Sequence, residues 1–248
     1  MLHSEGKDAL IIPSEGSQRP ATQEEKGTAL YKQALERAQC EVGSIQWVAL
    51  KTRPDVACAT AIAASIQTRD PKEAIRLTEG IWGCLAKHRN MCMVIAPQSD
   101  APVTVDISAD ASFAPGGERS RTGVAIAVAG TIVHWCSNKQ SLSTVSTCES
   151  ELSLAVTGVK LGMAIRQVVE QLANNKAELN YTVPMSLGQD NMACVQTITN
   201  EVTSWRTRHY ALRAAWIRYM VKTEDIKVQY ESGKTIRADG LTKVLPNL

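Results

Sequence analysis

Hydrophobic spacing divides this chain into two regimes. Between about Thr28 and Asn90, apolar residues recur with a helical period in "ALYKQALERAQ", "VGSIQWVAL", "VACATAIAASI" and "AIRLTEGIWGCLAKH". Pro54 in "TRPD" suits a first helical position, and "RDPKE" opens the fourth stretch with an early acidic residue. These stretches predict a small helical subdomain over residues 28–95. Residues 1–27, rich in Ser, Gly, Glu and Gln, read as a mobile polar tail.

After "PQSDAP" the period changes to two. In "VTVDISAD", Val103, Val105, Ile107 and Ala109 fall on one face, and Thr104, Asp106, Ser108 and Asp110 on the other. "TGVAIAVAGTIVHWCS" reads as two strands joined at Ala129-Gly130, with Trp135 on the packed side. A long helix is expected from about Thr147 to Asn174, apolar on more than one face and therefore central. "LNYTVPMSL" gives a fourth strand, which Pro184 assigns to an edge or irregular position. A helix after Asp190, another from about Arg206 to Val221, the strand "DIKVQYE" and a short helix over "IRADGLTK" complete the order. The pattern predicts an α/β domain over 102–248, a mixed five-stranded sheet flanked by helices.

Composition narrows the function. A net charge of +2 means that any nucleic-acid surface must be a local patch. The seven cysteines are odd in number and form no CxxC pair, which argues against zinc and against a disulfide framework. They suit a reducing compartment, so an intracellular protein of cytoplasm or nucleus is expected. No apolar run approaches the roughly 18–20 residues of a membrane span, and the opening apolar stretch is too short for a signal peptide.

Four carboxylates then stand out: Asp110, Glu151, Asp190 and Asp239, spaced 41, 39 and 49 residues apart. Acids that converge need a cation among them, and hard oxygen ligands favour Mg²⁺. Asp106 shares the face of Asp110 but lies about 13 Å back along the strand, too far to share a metal pair. Glu149 and Glu151 point roughly 200° apart on a helix, so only one can face such a site. Ser146-x-x-Glu149 fits a capping box, which gives Glu149 a structural role. Asp190 is either a ligand or a helix N-cap, and Asn191 beside it could help position the site. Asp239 would occupy the first turn of the last helix, where the dipole favours any acid. Lys139, Arg206, Arg208 and Arg213 are candidates for a phosphate-holding patch.

The motifs carry a family resemblance. "VGSIQWVALKTRPDVACA", "ISADASFAPG", "WCSNKQ", "TCESELSLA", "GQDNMAC", "WRTRHYALRAAWIRY" and "RADGLTKVLP" occur in order from about Glu41 to the C-terminus. Together they resemble the connection segment and RNase H domain of copia-type (Ty1/copia) retrotransposon Pol polyproteins. The resemblance implies an RNase H-like fold and selects Glu151 over Glu149. It implies that Asp110, Glu151, Asp190 and Asp239 hold two Mg²⁺ ions, with Mn²⁺ able to substitute. It also aligns His209 with a family histidine, so that His209 could contact a phosphate or the scissile region. The implied reaction is endonucleolytic hydrolysis of the RNA strand of an RNA–DNA hybrid, with a polymerase domain of a longer polyprotein as partner and no membrane. The polymerase paired-aspartate motif has no counterpart, and the family's Asp-Trp is Ser112-Phe113 here. These departures keep open an alternative: an inactive retrotransposon remnant that binds nucleic acid or protein.

Overall fold

The computed structural model describes residues 20–96, 102–113, 119–141, 143–177, 182–200 and 210–244. Seven helices are described: α1 (Gln23–Gly27), α2 (Ala29–Lys51), α3 (Ala57–Ile66), α4 (Pro71–Lys87), α5 (Thr147–Ala177), α6 (Met192–Thr199) and α7 (Ala211–Lys222). The strands are β1 (Val105–Ser112), β2 (Arg121–Val128), β3 (Thr131–Lys139), β4 (Met185–Gln189) and β5 (Lys227–Tyr230). They form one sheet in the order β3-β2-β1-β4-β5. The β1–β2 and β2–β3 pairs are antiparallel, whereas β4 is parallel to both β1 and β5. This is the mixed, RNase H-like arrangement that the motifs implied.

The hairpin between β2 and β3 follows from two residues. Ala129 (φ 48°) and Gly130 (φ 78°) both take left-handed conformations, the two-residue turn that matches strand twist. Along β1 the expected alternation holds: Val105, Ile107 and Ala109 are buried against Leu152, Leu154, Ala155 and Val159 of α5. The same core takes in Cys194 and Ile198 of α6 and Ala214, Ile217 and Met220 of α7.

Helices α2–α4 cover the opposite face. Ala38 and Val42 of α2, Cys58, Ile62, Ala63 and Ile66 of α3, and Ala74 and Leu77 of α4 form a small-residue core. A second cluster joins Ile45 and Ala49 to Ala125, Trp135 and Leu241, so helices and sheet share their packing. Trp135 is buried there and donates its indole N–H to the Ala49 carbonyl at 2.7 Å. The helix starts obey local chemistry: Asp70 caps α4 by accepting from the Glu73 N–H at 3.0 Å, with Pro71 in the first turn.

The first two apolar stretches form a single 23-residue helix, α2, running through Gly43. Several expectations need correction. Residues 20–27, expected as part of a mobile tail, include α1 with a complete Thr22/Glu25 capping box. Residues 1–19 lie outside the described residues. Pro184 does not put β4 at an edge. It immediately precedes the strand, its carbonyl accepts from the Val105 N–H at 2.9 Å, and β4 is internal between β1 and β5. Among the described residues, the last expected helix is only a single 3-10 turn, Asp239–Leu241. Finally, α5 is long and apolar enough to cross a membrane by length and composition alone. Leu152, Leu154, Ala155 and Val159 on its first turns instead pack on the sheet.

Candidate active site

Asp110 and Asp190 reach the same place because their strands are parallel neighbours. Ala109 is the register partner of Gln189, so Asp110, still paired with Gly123 of β2, lies beside Asp190, the first residue past the end of β4. Glu151 enters from the start of α5, its Oε1 accepting the Ala111 N–H at 3.2 Å. One ligand oxygen from each of Asp110, Glu151 and Asp190 can be chosen so that all three lie within 4.8 Å of one another.

Burial makes this proximity costly. Asp110 is 4% exposed and Glu151 5% exposed. Desolvation, then the Asp110 and Asp190 charges, push the Glu151 carboxyl up to about 9. Desolvation also raises Asp110, opposed by its bond from the Thr242 hydroxyl and reinforced by Asp190. Asp190 is raised by desolvation and by Asp239, and lowered by the Lys243 ammonium. Glu151 Oε2 is buried without a hydrogen-bond partner among the described residues. A cluster of carboxylate oxygens with one buried acceptor unsatisfied fits a divalent cation that prefers hard oxygen ligands, Mg²⁺ or Mn²⁺.

Asp239 is not in the three-acid cluster. It sits on the C-terminal 3-10 turn, where its carboxylate accepts from the Lys243 ammonium. That turn lies close to β2 because residue 123 is glycine. A Cβ there would come within 2.8 Å of the Ala238 carbonyl oxygen and of the Thr242 methyl. Lys243 responds to the whole site. Its bond to Asp239, then the fields of Asp110 and Asp190, hold its ammonium above the ordinary lysine value.

The other candidates are placed as follows. Glu149 points elsewhere: its Oε2 accepts the Val145 N–H at 2.8 Å, and Oε1 lies 3.9 Å from an Arg213 nitrogen. Its own N–H bonds to Ser146 Oγ at 3.1 Å, so the cap exists, although the return bond goes to Val145 instead of Ser146. Arg213, read as a phosphate contact, is thus engaged with Glu149 in this structure. Asn191 is the N-cap of α6, its side chain accepting from the Cys194 N–H at 3.0 Å. The cap considered for Asp190 therefore belongs to its neighbour. Lys139 ends β3 in register with Arg121, and burial followed by the Arg69 charge lowers its pKa. Arg206, Arg208 and His209 lie outside the described residues. Asp106 is tied to Ser186 Oγ at 2.7 Å and to Thr104, away from the acids.

Three residues near the site escaped the sequence reading. Thr242 holds Asp110, Lys243 holds Asp239, and Glu231 accepts from Ser108 Oγ at 3.2 Å on the face that carries Asp110. The four-residue spacing of Asp239 and Lys243 was the available signal for one pair. Nothing local marked the other two, whose partners lie 132 and 123 residues away.

Comparison with known proteins places the chain in context. It is 29% identical over 227 residues to the retrovirus-related Pol polyprotein from transposon TNT 1-94 of Nicotiana tabacum. The match covers 92% of this chain and 16% of that polyprotein, so the chain spans only a small part of the curated relative's length. No protein-family model matches. Among solved structures, the N-terminal RNase H domain of rv2228c from Mycobacterium tuberculosis is 14% identical, with a TM-score of 0.38, covering 56% of this chain and 91% of that one. RNase H1 from Halobacterium salinarum is also 14% identical, with a TM-score of 0.37, covering 57% and 94%. The resemblance to a retrotransposon Pol polyprotein therefore extends over most of the chain, and the strand order and register carry the fold assignment.

Proposed function

We propose that the protein is a metal-dependent ribonuclease H that cuts the RNA strand of RNA–DNA hybrids, as the RNase H part of a copia-type reverse transcriptase lacking the polymerase palm. The supporting observation is the convergence of Asp110, Glu151 and Asp190 within 4.8 Å, the first two buried and the third half-buried, all pushed toward their protonated forms. Those three acids would hold the cation, with Asp239 as a further ligand once released from Lys243. Two divalent ions bound there would activate water and stabilise the leaving 3′ oxygen.

The chain's own residues prepare this chemistry. The Ala111 N–H fixes one oxygen of Glu151, which leaves the other available. The Thr242 hydroxyl orients Asp110, and the approach of the C-terminal turn to Gly123 sets where that hydroxyl lies. Lys139 is the described candidate for a backbone phosphate contact, with Arg206, Arg208 and His209 as the others. Strand choice would rest on 2′-hydroxyl and groove-shape contacts, largely independent of sequence. The proposed protein partner is a polymerase domain of a longer polyprotein.

The test is incubation of purified protein with end-labelled RNA–DNA hybrid in Mg²⁺ or Mn²⁺. The expected result is cutting of hybrid RNA, little of single-stranded RNA and none of duplex DNA, all abolished by Asp110→Asn. Equal cutting of duplex DNA would overturn the substrate class. Hybrid binding without cutting in either metal would identify an inactive remnant.

A further inference from the structure

We propose that Lys243 is a built-in counter-cation of the acidic centre, a positioning residue whose ammonium holds Asp239 away from the other acids and competes with a divalent ion for it. The inference rests on the reading of the acids as a metal centre. It starts from an asymmetry in that centre. Three carboxylates converge within 4.8 Å, whereas the fourth is engaged by an ammonium one turn further along the chain.

The 3-10 turn makes this possible. Asp239 O accepts the backbone N–H groups of Thr242 at 3.1 Å and Lys243 at 3.2 Å, so the turn is closed on the acid itself. Within five residues it supplies an acid, the Asp110-binding hydroxyl of Thr242 and the ammonium of Lys243. Asp110 and Asp190 act on the same ammonium, so its charge offsets repulsion across the site as well as pairing one partner.

Lys243 is also built to leave. Its side chain is 61% exposed and that of Asp239 is 37% exposed, so the ammonium can swing into water without disturbing the core. A lysine is a flexible point charge with no acceptor, whereas a doubly charged ion can be shared by several carboxylates. Metal binding therefore exchanges one internal cation for a stronger external one, and Asp239 is freed by the same event.

The experiment compares wild type, Lys243→Met, Lys243→Arg and Asp239→Asn by Mg²⁺ titration, followed by calorimetry and by thermal melting. In chelator, Lys243→Met should melt below wild type because the acids lose their counter-charge. Its half-saturating Mg²⁺ concentration should fall by roughly two- to fivefold, the range set by an exposed ion pair. Lys243→Arg should stay near wild type in both measurements. In the Asp239→Asn background, Lys243→Met should shift the midpoint less than it does in wild type, because only the field of Asp110 and Asp190 on the ammonium remains. An unchanged or higher midpoint in Lys243→Met, with wild type still responding to Mg²⁺, would overturn the counter-cation role alone. No Mg²⁺ response in wild type would overturn the metal centre and this inference with it. Should Lys243→Met melt too low to titrate, Lys243→Gln serves with the same criteria.

Discussion

Glu151 gives the sharpest quantitative test, because its environment predicts an inverted pH response. Its carboxyl is raised from 4.5 to about 9 by burial and by two neighbouring carboxylates. A pKa raised on folding contributes stability that is fully present below about pH 4.5 and is lost as pH rises toward 9. From pH 7 to 9 the metal-free protein should thus give up about 2 kcal/mol through this group. Glu151→Gln keeps the shape and an oxygen for the Ala111 N–H but has no proton to lose. Asp110 and Asp190 are also raised and act in the same direction, but they are present in both proteins. Melting in chelator should therefore place the variant above wild type already at pH 7, since wild type has by then given up about 3 kcal/mol through this group. For a domain of this size the gap should widen by roughly a further 4–8 °C between pH 7 and pH 9. Saturating Mg²⁺ should remove the difference in slope, since the bound ion keeps the wild-type carboxylate ionised throughout. Parallel melting profiles in chelator would refute the claim that Glu151 is buried as a protonated acid.

Other outcomes follow from the same geometry. Mg²⁺ uptake should release protons near pH 7 and tighten as pH rises toward 9, which calorimetry in buffers of different ionisation enthalpy will read. Glu149→Gln should retain cleavage and lose only about 0.2–1 kcal/mol by melting, since a Gln oxygen still serves the Val145 N–H while the ion pair with Arg213 is lost. Gly123→Ala should cost about 1–3 kcal/mol by denaturant unfolding and weaken the Mg²⁺ response, because the new Cβ displaces the turn that carries Asp239 and Thr242. Trp135→Phe should cost about 1–3 kcal/mol by melting, because it leaves the buried Ala49 carbonyl without its indole donor.

What could be read in advance depended on how local each signal was. The strands β1 to β3 were legible because a period of two and an Ala-Gly turn are properties of neighbouring residues. Pro184 misled because a proline inside an apparent strand looks like an edge, whereas here it stands one residue outside the ladder. The first two apolar stretches run on as one helix, and Gly43 between them faces open space, so no contact required the helix to end there. Asp190 and Asn191 are both favoured caps, and only the fold could show that Asn191 caps while Asp190 turns to the acids. The acids themselves were visible through their motifs, but the sidelining of Asp239 was not. Pairing with Lys243 is a four-residue event, but the added pull of Asp110 and Asp190 on that ammonium comes from residues far away in the chain.

The Trp135–Ala49 hydrogen bond has a consequence for how such a chain can change over generations. A strand that precedes α5 is tied to a helix that precedes the whole sheet, across 86 residues. Ile45, Ala49, Ala125, Trp135 and Leu241 fill one common space, so a change in volume at any of them alters what the others can tolerate. Compensating substitutions should therefore appear in pairs spanning the two halves. Recombination between residues 96 and 102 would part residues that have adapted to one another. Exchange of either half alone would leave an ill-fitting seam under the sheet, whereas exchange of both together would carry the fit intact.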